Sequence, residues 1–357
     1  MTGRRARRAL SARLDQLGGL AGTARRGNLT ARALAVADSR SLVRCVFLAS
    51  AVRSGILDCL AEEPTLAEIV RRYRWRRPDR LESWLAVGVD LGELRRRGTR
   101  YALVGRRAVA LAAGDELLRA HYRTMLEYQI GPYAELEQLL SEPPGTGRGD
   151  LERYAEEIAQ VSLAAEPFVA RAVRRAVAER RPRRVLDVGC GNGTYSAAVL
   201  GTDANVEVEA IDLAGEVAEA AGRRLVAAGF GTRARVHVGD VRDWLAGNPA
   251  RFDLVLLLDN VYYFAPEVRP ELYRQLYGCL APGGELVVAT MTAPGSVAAA
   301  HLDFMLACQE GSAALPHRDE LRRDLEHAGF DSIEERSIVP TEPFVAVRAR
   351  ARAPRHQ

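Results

Sequence analysis

From Arg184 onward the sequence alternates short apolar runs with helical stretches, and this alternation constrains the fold more than any other feature. VLDV (185–188), VEVEAID (206–212), ARVHVGD (234–240), FDLVLLLD (252–259) and GELVVAT (284–290) are β-branched or Leu-rich runs. Between them, helices are predicted at 194–201, 214–228 and 267–280. Near-continuous apolar runs suit strands covered on both faces, so the sheet is expected to be mostly parallel with helices on either side. Two last strands, about 332–339 and 343–349, meet at a turn around Pro340 and are expected to form an antiparallel edge. The expected class is α/β, a Rossmann-like doubly wound sheet.

The first half of the chain reads differently. The segment 41–62 spaces its apolar residues for a buried helix or two, and Thr65 with Glu68 makes a capping box that opens a helix at 66–73. Pro78 stands in the first turn of a second helix, 78–92, whose Leu81, Leu85 and Val89 recur every four residues. Glu93–Arg97, Gly98-Thr99 and Tyr101–Val104 then read as a short hairpin. Helix, turn, helix and hairpin make a winged-helix pattern. Two further helices, about 115–140 and 151–179, flank the loop SEPPGTGRGD at 141–150. The expected organisation is a disordered Arg-rich arm (1–32), a winged-helix-like domain (33–110), a helical linker and substrate lid (111–180), the Rossmann-like domain (181–350) and a tail (351–357).

Composition bounds the functional classes. At 357 residues, 48% hydrophobic and 27% charged, the chain is ordinary for a soluble globular protein, and no apolar run reaches the roughly 18 residues of a membrane helix. The formal charge of +4 misleads: residues 1–32 hold eight Arg and one acid, residues 348–357 four Arg and no acid, and the body between them is net acidic. The basic balance therefore belongs to the two ends and does not mark a nucleic-acid surface on the folded part. Every basic residue is Arg, which excludes Schiff-base or lysine-base chemistry. Five scattered cysteines without a C-x-x-C pair suggest neither a disulfide framework nor a thiolate metal site, and fit a reducing cytoplasm.

The segment that carries chemistry is Val185-Leu-Asp-Val-Gly-Cys-Gly-Asn-Gly193, a strand entering a glycine-rich turn before a helix. Gly189, Gly191 and Gly193 permit positive φ and close approach of a ligand, and the helix N-terminus beyond offers free N–H groups to an anion. Asp212 ends the second strand, where a carboxylate can accept both hydroxyls of a ribose. Asp240 ends the third, where it can accept the exocyclic amine of adenine, and Asp259 ends the fourth. Singly, each acid is a turn former or helix cap. In order, at the carboxyl ends of parallel strands, they form a set at the edge where open α/β sheets bind ligands.

On VLDVGCGNG, the acidic ends Asp212 and Asp240, and the LAPGG turn at 280–284, residues from about 180 to 350 resemble the class I S-adenosylmethionine-dependent methyltransferases. The resemblance implies that Asp187 and the loop Gly189–Gly193, including the small residue Cys190, hold the methionine moiety of that cofactor. It implies that Asp212, beside Leu213, holds the ribose and that Asp240 with Val241 holds the adenine. Asp259 is grouped with these cofactor residues. Position 194 is Thr where the dinucleotide pattern G-x-G-x-x-G has its third small residue, which favours this cofactor over NAD. A winged-helix module ahead of such a domain looks like the small-molecule O-methyltransferases, which implies a homodimer built through the N-terminal domain. The competing DNA-binding reading is disfavoured because helix 78–92 carries Asp79, Glu82 and Asp90 with mostly apolar surface.

Many enzymes of this architecture place a His general base shortly after the fourth strand. Here the stretch reads Asp259-Asn-Val-Tyr-Tyr-Phe264, and with one gap before LAPGG it is Tyr263 that falls at the histidine. A neutral tyrosine, with a reference pKa of about 10, is a poor base at pH 7, so the acceptor is expected to be nucleophilic already. Candidate catalytic residues are Tyr263 and His301; His301 also reads as a helix-face residue or, with Asp259, part of a metal site, but no metal is expected. Candidate substrate residues are Met125, Tyr128 and Phe168 in the lid, with Asn260, Tyr262, Phe264 and Met305. The expected function is O- or C-methylation of a small, specialised metabolite without the usual His base. The alternatives are a non-methylating enzyme that binds the same cofactor and a ligand-sensing winged-helix transcription regulator.

Overall fold

The computed structural model describes residues 19, 22–23, 27–143, 146–149, 153–154, 158 and 161–352. Most of the expected arm, the end of the tail and several residues at the start of the predicted helix 151–179 lie outside the described residues. The chain divides into two compact units, Met1–Leu126 and Glu127–Gln357.

In the first unit a long helix, Leu29–Ser54, starts inside the segment read as an arm and stops at Gly55, whose φ of 69° terminates it. A short helix, Ile56–Leu60, follows. The capping box forms as read: the Thr65 side chain accepts from the Glu68 N–H, and Glu68 accepts from the Thr65 N–H, opening the helix Leu66–Tyr73. Pro78 begins the helix Pro78–Asp90, which buries Leu81, Leu85 and Gly88. Strands β1 (Leu94–Arg97) and β2 (Arg100–Leu103) then pair antiparallel around Gly98. The helices Arg106–Ala112 and Glu116–Thr124 complete the unit. Phe47, Leu48, Ile56, Leu60, Ile69, Leu85 and Leu111 form its core.

The second unit is built on a seven-stranded sheet. Strands β3 (Arg184–Val188), β4 (Glu207–Asp212), β5 (Ala234–Val238), β6 (Phe252–Leu258), β7 (Leu280–Met291), β8 (Ser332–Ser337) and β9 (Phe344–Arg350) lie in the order β5-β4-β3-β6-β7-β9-β8. The first five are mutually parallel, and β9 runs antiparallel to both β7 and β8. The apolar runs are continuous because alternate residues enter different cores. Val255 and Leu257 of β6 pack with Leu186 and Val188 on one face. On the other face, Leu254, Leu256 and Leu258 pack with Val185 and with Val169, Val173 and Val177 of the helix Glu166–Arg180.

Three expectations change. The single helix predicted over 115–140 is broken into Glu116–Thr124, a π turn at Met125–Gln129 and the short helices Gly131–Ala134 and Leu136–Ser141. Gly131-Pro132 explains part of this, since proline lacks the N–H that a continuing helix needs. The region 111–180 is not a domain of its own: residues to Leu126 belong to the first unit, while Glu166–Arg180 packs on the sheet. The LAPGG turn is absorbed into the start of β7, where the register with β6 shifts between Phe252 and Leu254.

Gly88 is closely packed in the first unit, since a Cβ there would lie 2.5 Å from the Phe47 ring and 2.7 Å from Leu94. Overpacking of this kind costs roughly 1–3 kcal/mol, against roughly 1 kcal/mol returned by the better helix propensity of alanine. Gly88→Ala is therefore expected to lower the melting temperature measured by calorimetry; an unchanged or higher value would contradict this packing.

Candidate active site

The carboxyl ends of β3, β4, β5 and β6 surround a cavity of about 480 Å³ in the second unit. The turn after β3 supplies Gly189 to Asn192, Thr194 and Tyr195; β4 supplies Ile211, Asp212 and Leu213; the turn after β5 supplies Gly239 to Arg242. Leu258, Asp259, Asn260, Tyr262, Tyr263 and Phe264 come from the end of β6, and Ile158, Ser162, Leu163 and Gly311 complete the wall.

The three loop glycines are each required for a different reason. Gly189, at φ 63°, lies so close to Asn260 that a side chain would strike its amide. Gly191, at φ 54°, faces open space: a Cβ there would meet nothing within 4 Å and would occupy room the cavity keeps free. Gly193, at φ 76°, lets the loop pack on the helix Gly215–Ala227, with its would-be Cβ 3.4 Å from Ala221 and 3.5 Å from Leu225. Asn192 caps the start of the next helix by accepting from the Thr194 N–H at 3.2 Å and the Thr194 hydroxyl at 2.6 Å.

Asp212 is pinned by backbone donors. Gly191 N–H donates to its Oδ2 at 2.9 Å and Ala214 N–H to its Oδ1 at 3.0 Å. A carboxylate has about four lone-pair sites, so two remain for hydroxyl groups. Asp240 caps the helix Val241–Gly247, accepting from the Arg242 N–H at 2.8 Å, and its carboxylate is gripped by the Arg242 guanidinium. That guanidinium holds the Asp240 carboxyl below its ordinary range. Val241 is buried behind it and Leu213 is exposed on the cavity wall.

Two carboxyls are pushed the other way. Asp187 is buried, accepts from the Ser196 hydroxyl at 2.6 Å, and is raised to about 6 by burial. It is not among the residues lining the cavity, so it supports the loop by tying β3 to the following helix rather than facing a ligand. Asp259 is also raised to about 6 by burial, but it does line the cavity. Cys190 donates its N–H to the Ile211 carbonyl, and burial pushes its thiol up, away from reactivity. Tyr263 is half exposed on the wall, its phenol pushed up to about 12 chiefly by burial, and its ring lies 4.9 Å from that of Tyr262. Asn260 donates its amide to the Val188 carbonyl at 2.5 Å, and its buried Oδ1 finds no partner among the described residues.

Several expected substrate and catalytic residues do not line the cavity. His301 lies on the helix Val297–Ala307 with Nδ1 2.9 Å from the Tyr133 hydroxyl and its ring stacked on that tyrosine. Met305 points into packing on the same helix and is buried. Phe168 lies on the helix packed on the sheet, and Tyr128 is buried with its ring 5.9 Å from Tyr154. Met125 belongs to the first unit and packs against its core. None of the five is among the lining residues. Arg242, Thr194, Tyr195 and Ser162 line the cavity but were not among the residues expected there. Arg242 was findable as the basic residue two places after an expected adenine ligand, whereas Ser162 carried no signal.

Comparison with known proteins agrees with this geometry. Residues 185–284 match the methyltransferase domain family. The chain is 28% identical over 251 residues, 68% of its length, to demethylspheroidene O-methyltransferase of Cereibacter sphaeroides, and spans 65% of that relative. Among solved structures, an O-methyltransferase family protein from Burkholderia thailandensis superposes with a TM-score of 0.74 at 19% identity, covering 89% of this chain and 97% of that one. Human N-acetylserotonin methyltransferase in complex with S-adenosylmethionine gives 0.68 at 17% identity, covering 91% and 99%. The matched residues 185–284 carry the glycine turn and the strand ends around the cavity, and the fold is that of the O-methyltransferase structures.

The two raised carboxyls make folding pH-dependent in a fixed direction. Asp187 and Asp259 rise from an ordinary 3.8 to about 6 in the folded chain, so between these values the folded state binds more protons than the unfolded one. Their contribution to stability is full below about 3.8 and is lost as pH rises through about 6. Melting temperatures followed from about pH 4.5 to about pH 6.5 are expected to lose part of this fall in Asp187→Asn. An identical pH profile in that variant would remove Asp187 from the account.

Proposed function

We propose that this chain transfers a methyl group from S-adenosylmethionine to an oxygen of a small-molecule acceptor. The observation that carries the reading is Asp212 at the end of β4, its carboxylate oriented by the Gly191 N–H of the glycine turn, whose positive φ and missing side chain leave the adjoining cavity open. The fold class uses this cofactor, and the residues fit it. Gly189, Cys190 and Gly191 form the cradle for the methionine part, Asp212 and Leu213 take the ribose, and Asp240 and Val241 take the adenine. The Arg242 N–H and guanidinium together make four contacts to Asp240, so an adenine amine there would share or replace part of that grip. When bound, the cofactor supplies an electrophilic methyl group on a sulfonium.

The chain's own groups then position and exclude water. Tyr262, Tyr263, Phe264, Ile158 and Leu163 give the acceptor side of the cavity an aromatic and aliphatic wall. Holding two reactants in line contributes roughly 7–11 kcal/mol to such a displacement. On this reading Tyr263 replaces the usual histidine, and its raised phenol stays protonated at neutral pH. It therefore orients the acceptor by a hydrogen bond and does not take its proton, so the acceptor is one that ionises readily, such as a phenol or a stabilised enol. A specialised metabolite fits this description, as does the human neighbour that acts on N-acetylserotonin. The first unit, with its helix pair and hairpin, is read as a winged-helix dimerisation element, and the five free cysteines suit a reducing cytoplasm.

Calorimetry with S-adenosylhomocysteine tests the cofactor assignment. The intact chain is expected to bind, and Asp212→Ala to bind at least about tenfold more weakly. Absence of heat with the intact chain would reject the assignment. A product mass increased by one CH₂ separates methyl transfer from a rearrangement that uses the same cofactor.

A further inference from the structure

The acids around the cavity differ in what satisfies them. Asp187 is bonded to Ser196, Asp212 to two backbone N–H groups, and Asp240 to Arg242. Asp259 lines the cavity with one long hydrogen bond, from the Tyr262 hydroxyl at 3.3 Å, and among the described residues no guanidinium pairs with it. It is held there by a left-handed backbone, φ 57°, and by its own N–H bonding to the Ala289 carbonyl at 2.7 Å. A part-buried carboxylate without a cation is costly, and a ligand that brings one recovers part of that cost.

The sheet order says which part of a ligand arrives there. Asp240 follows β5, Asp212 ends β4, and β3 separates β4 from β6, which leads into Asp259. Neighbouring strands are about 4.8 Å apart, so Asp259 stands roughly 10 Å across the sheet from Asp212. A cofactor with adenine at Asp240 and ribose at Asp212 carries its sulfur onward in the same direction, toward the β3–β6 side. We propose that Asp259 is the counter-charge to the cofactor's sulfonium, giving the cationic cofactor affinity that the neutral thioether product does not receive. This rests on the reading of function above.

Methyl transfer discharges the sulfonium, so the attraction is present before the reaction and gone after it. The effect is discrimination between cofactor and product, because an interaction stronger in the ground state than in the transition state does not accelerate the step. The titratable groups around Asp259 are Tyr262, Tyr263 and Tyr195, all pushed above the ordinary phenol range by burial, with Asp187 on the neighbouring strand β3. Only the two carboxyls change charge in mildly acidic solution, and a variant separates them.

The experiment is calorimetry of the full chain with S-adenosylmethionine and with S-adenosylhomocysteine, at about pH 7.5 and about pH 5, for the native sequence and Asp259→Asn. At the higher pH the variant is expected to lose at least about tenfold in affinity for S-adenosylmethionine and less than about twofold for S-adenosylhomocysteine. In the native chain, acidification is expected to weaken the first ligand more than the second, and this difference is expected to vanish in the variant. Equal losses for both ligands would place Asp259 against a group they share, such as the α-ammonium, and overturn the proposal; so would no loss for either. If the variant does not fold, parallel pH curves for the two ligands in the native chain overturn it. Binding of neither ligand to the native chain would instead bring down the cofactor assignment, and this inference with it.

Discussion

The hydrogen bond from the Gly191 N–H to the Asp212 carboxylate couples two adjacent crossovers of the sheet, and the site depends on it. It fixes the tip of the glycine turn after β3 against the end of β4, so that the backbone that approaches a ligand and the carboxylate that recognises it are one rigid assembly. Gly193 reinforces this from behind by allowing contact with Ala221 and Leu225. Asp187 does so from below through Ser196. Positive φ at three glycines in five residues is what lets the turn be this tight.

Environment divides the carboxyls of one sheet edge into different tasks. Backbone donors hold Asp212 in place, a guanidinium keeps Asp240 ionised, and chiefly burial raises Asp187 and Asp259 to about 6. The residue type is the same in all four cases. What differs is whether the strand end delivers it to a loop rich in N–H groups, to a helix with a basic second residue, or to an apolar interior.

Periodicity and turn chemistry made the sheet readable. The strands, the capping box at Thr65 and Glu68, the proline start at Pro78 and the hairpin around Gly98 are local signals, and each formed where the residues required. The Asp212 and Asp240 positions were legible because they end strands in a fixed order. Residues brought together by tertiary packing were not. His301 was singled out for its chemistry but is occupied by Tyr133, and Met305 was singled out for its place but is turned into the interior. Conversely, Ser162 and Leu163 reach the cavity from a segment whose sequence shows no site pattern. The helix over 115–140 was overextended because its apolar spacing continues past the Gly131-Pro132 pair that interrupts it.

The most direct measurement is a crystal structure of the chain with S-adenosylhomocysteine bound. The account predicts electron density across the carboxyl ends of β5, β4 and β3, with ribose hydroxyls on Asp212, the adenine amine at Asp240 and the thioether on the Asp259 side. Density for a pyrophosphate-bearing nucleotide at the glycine turn, or a ligand seated away from Asp212, would contradict it.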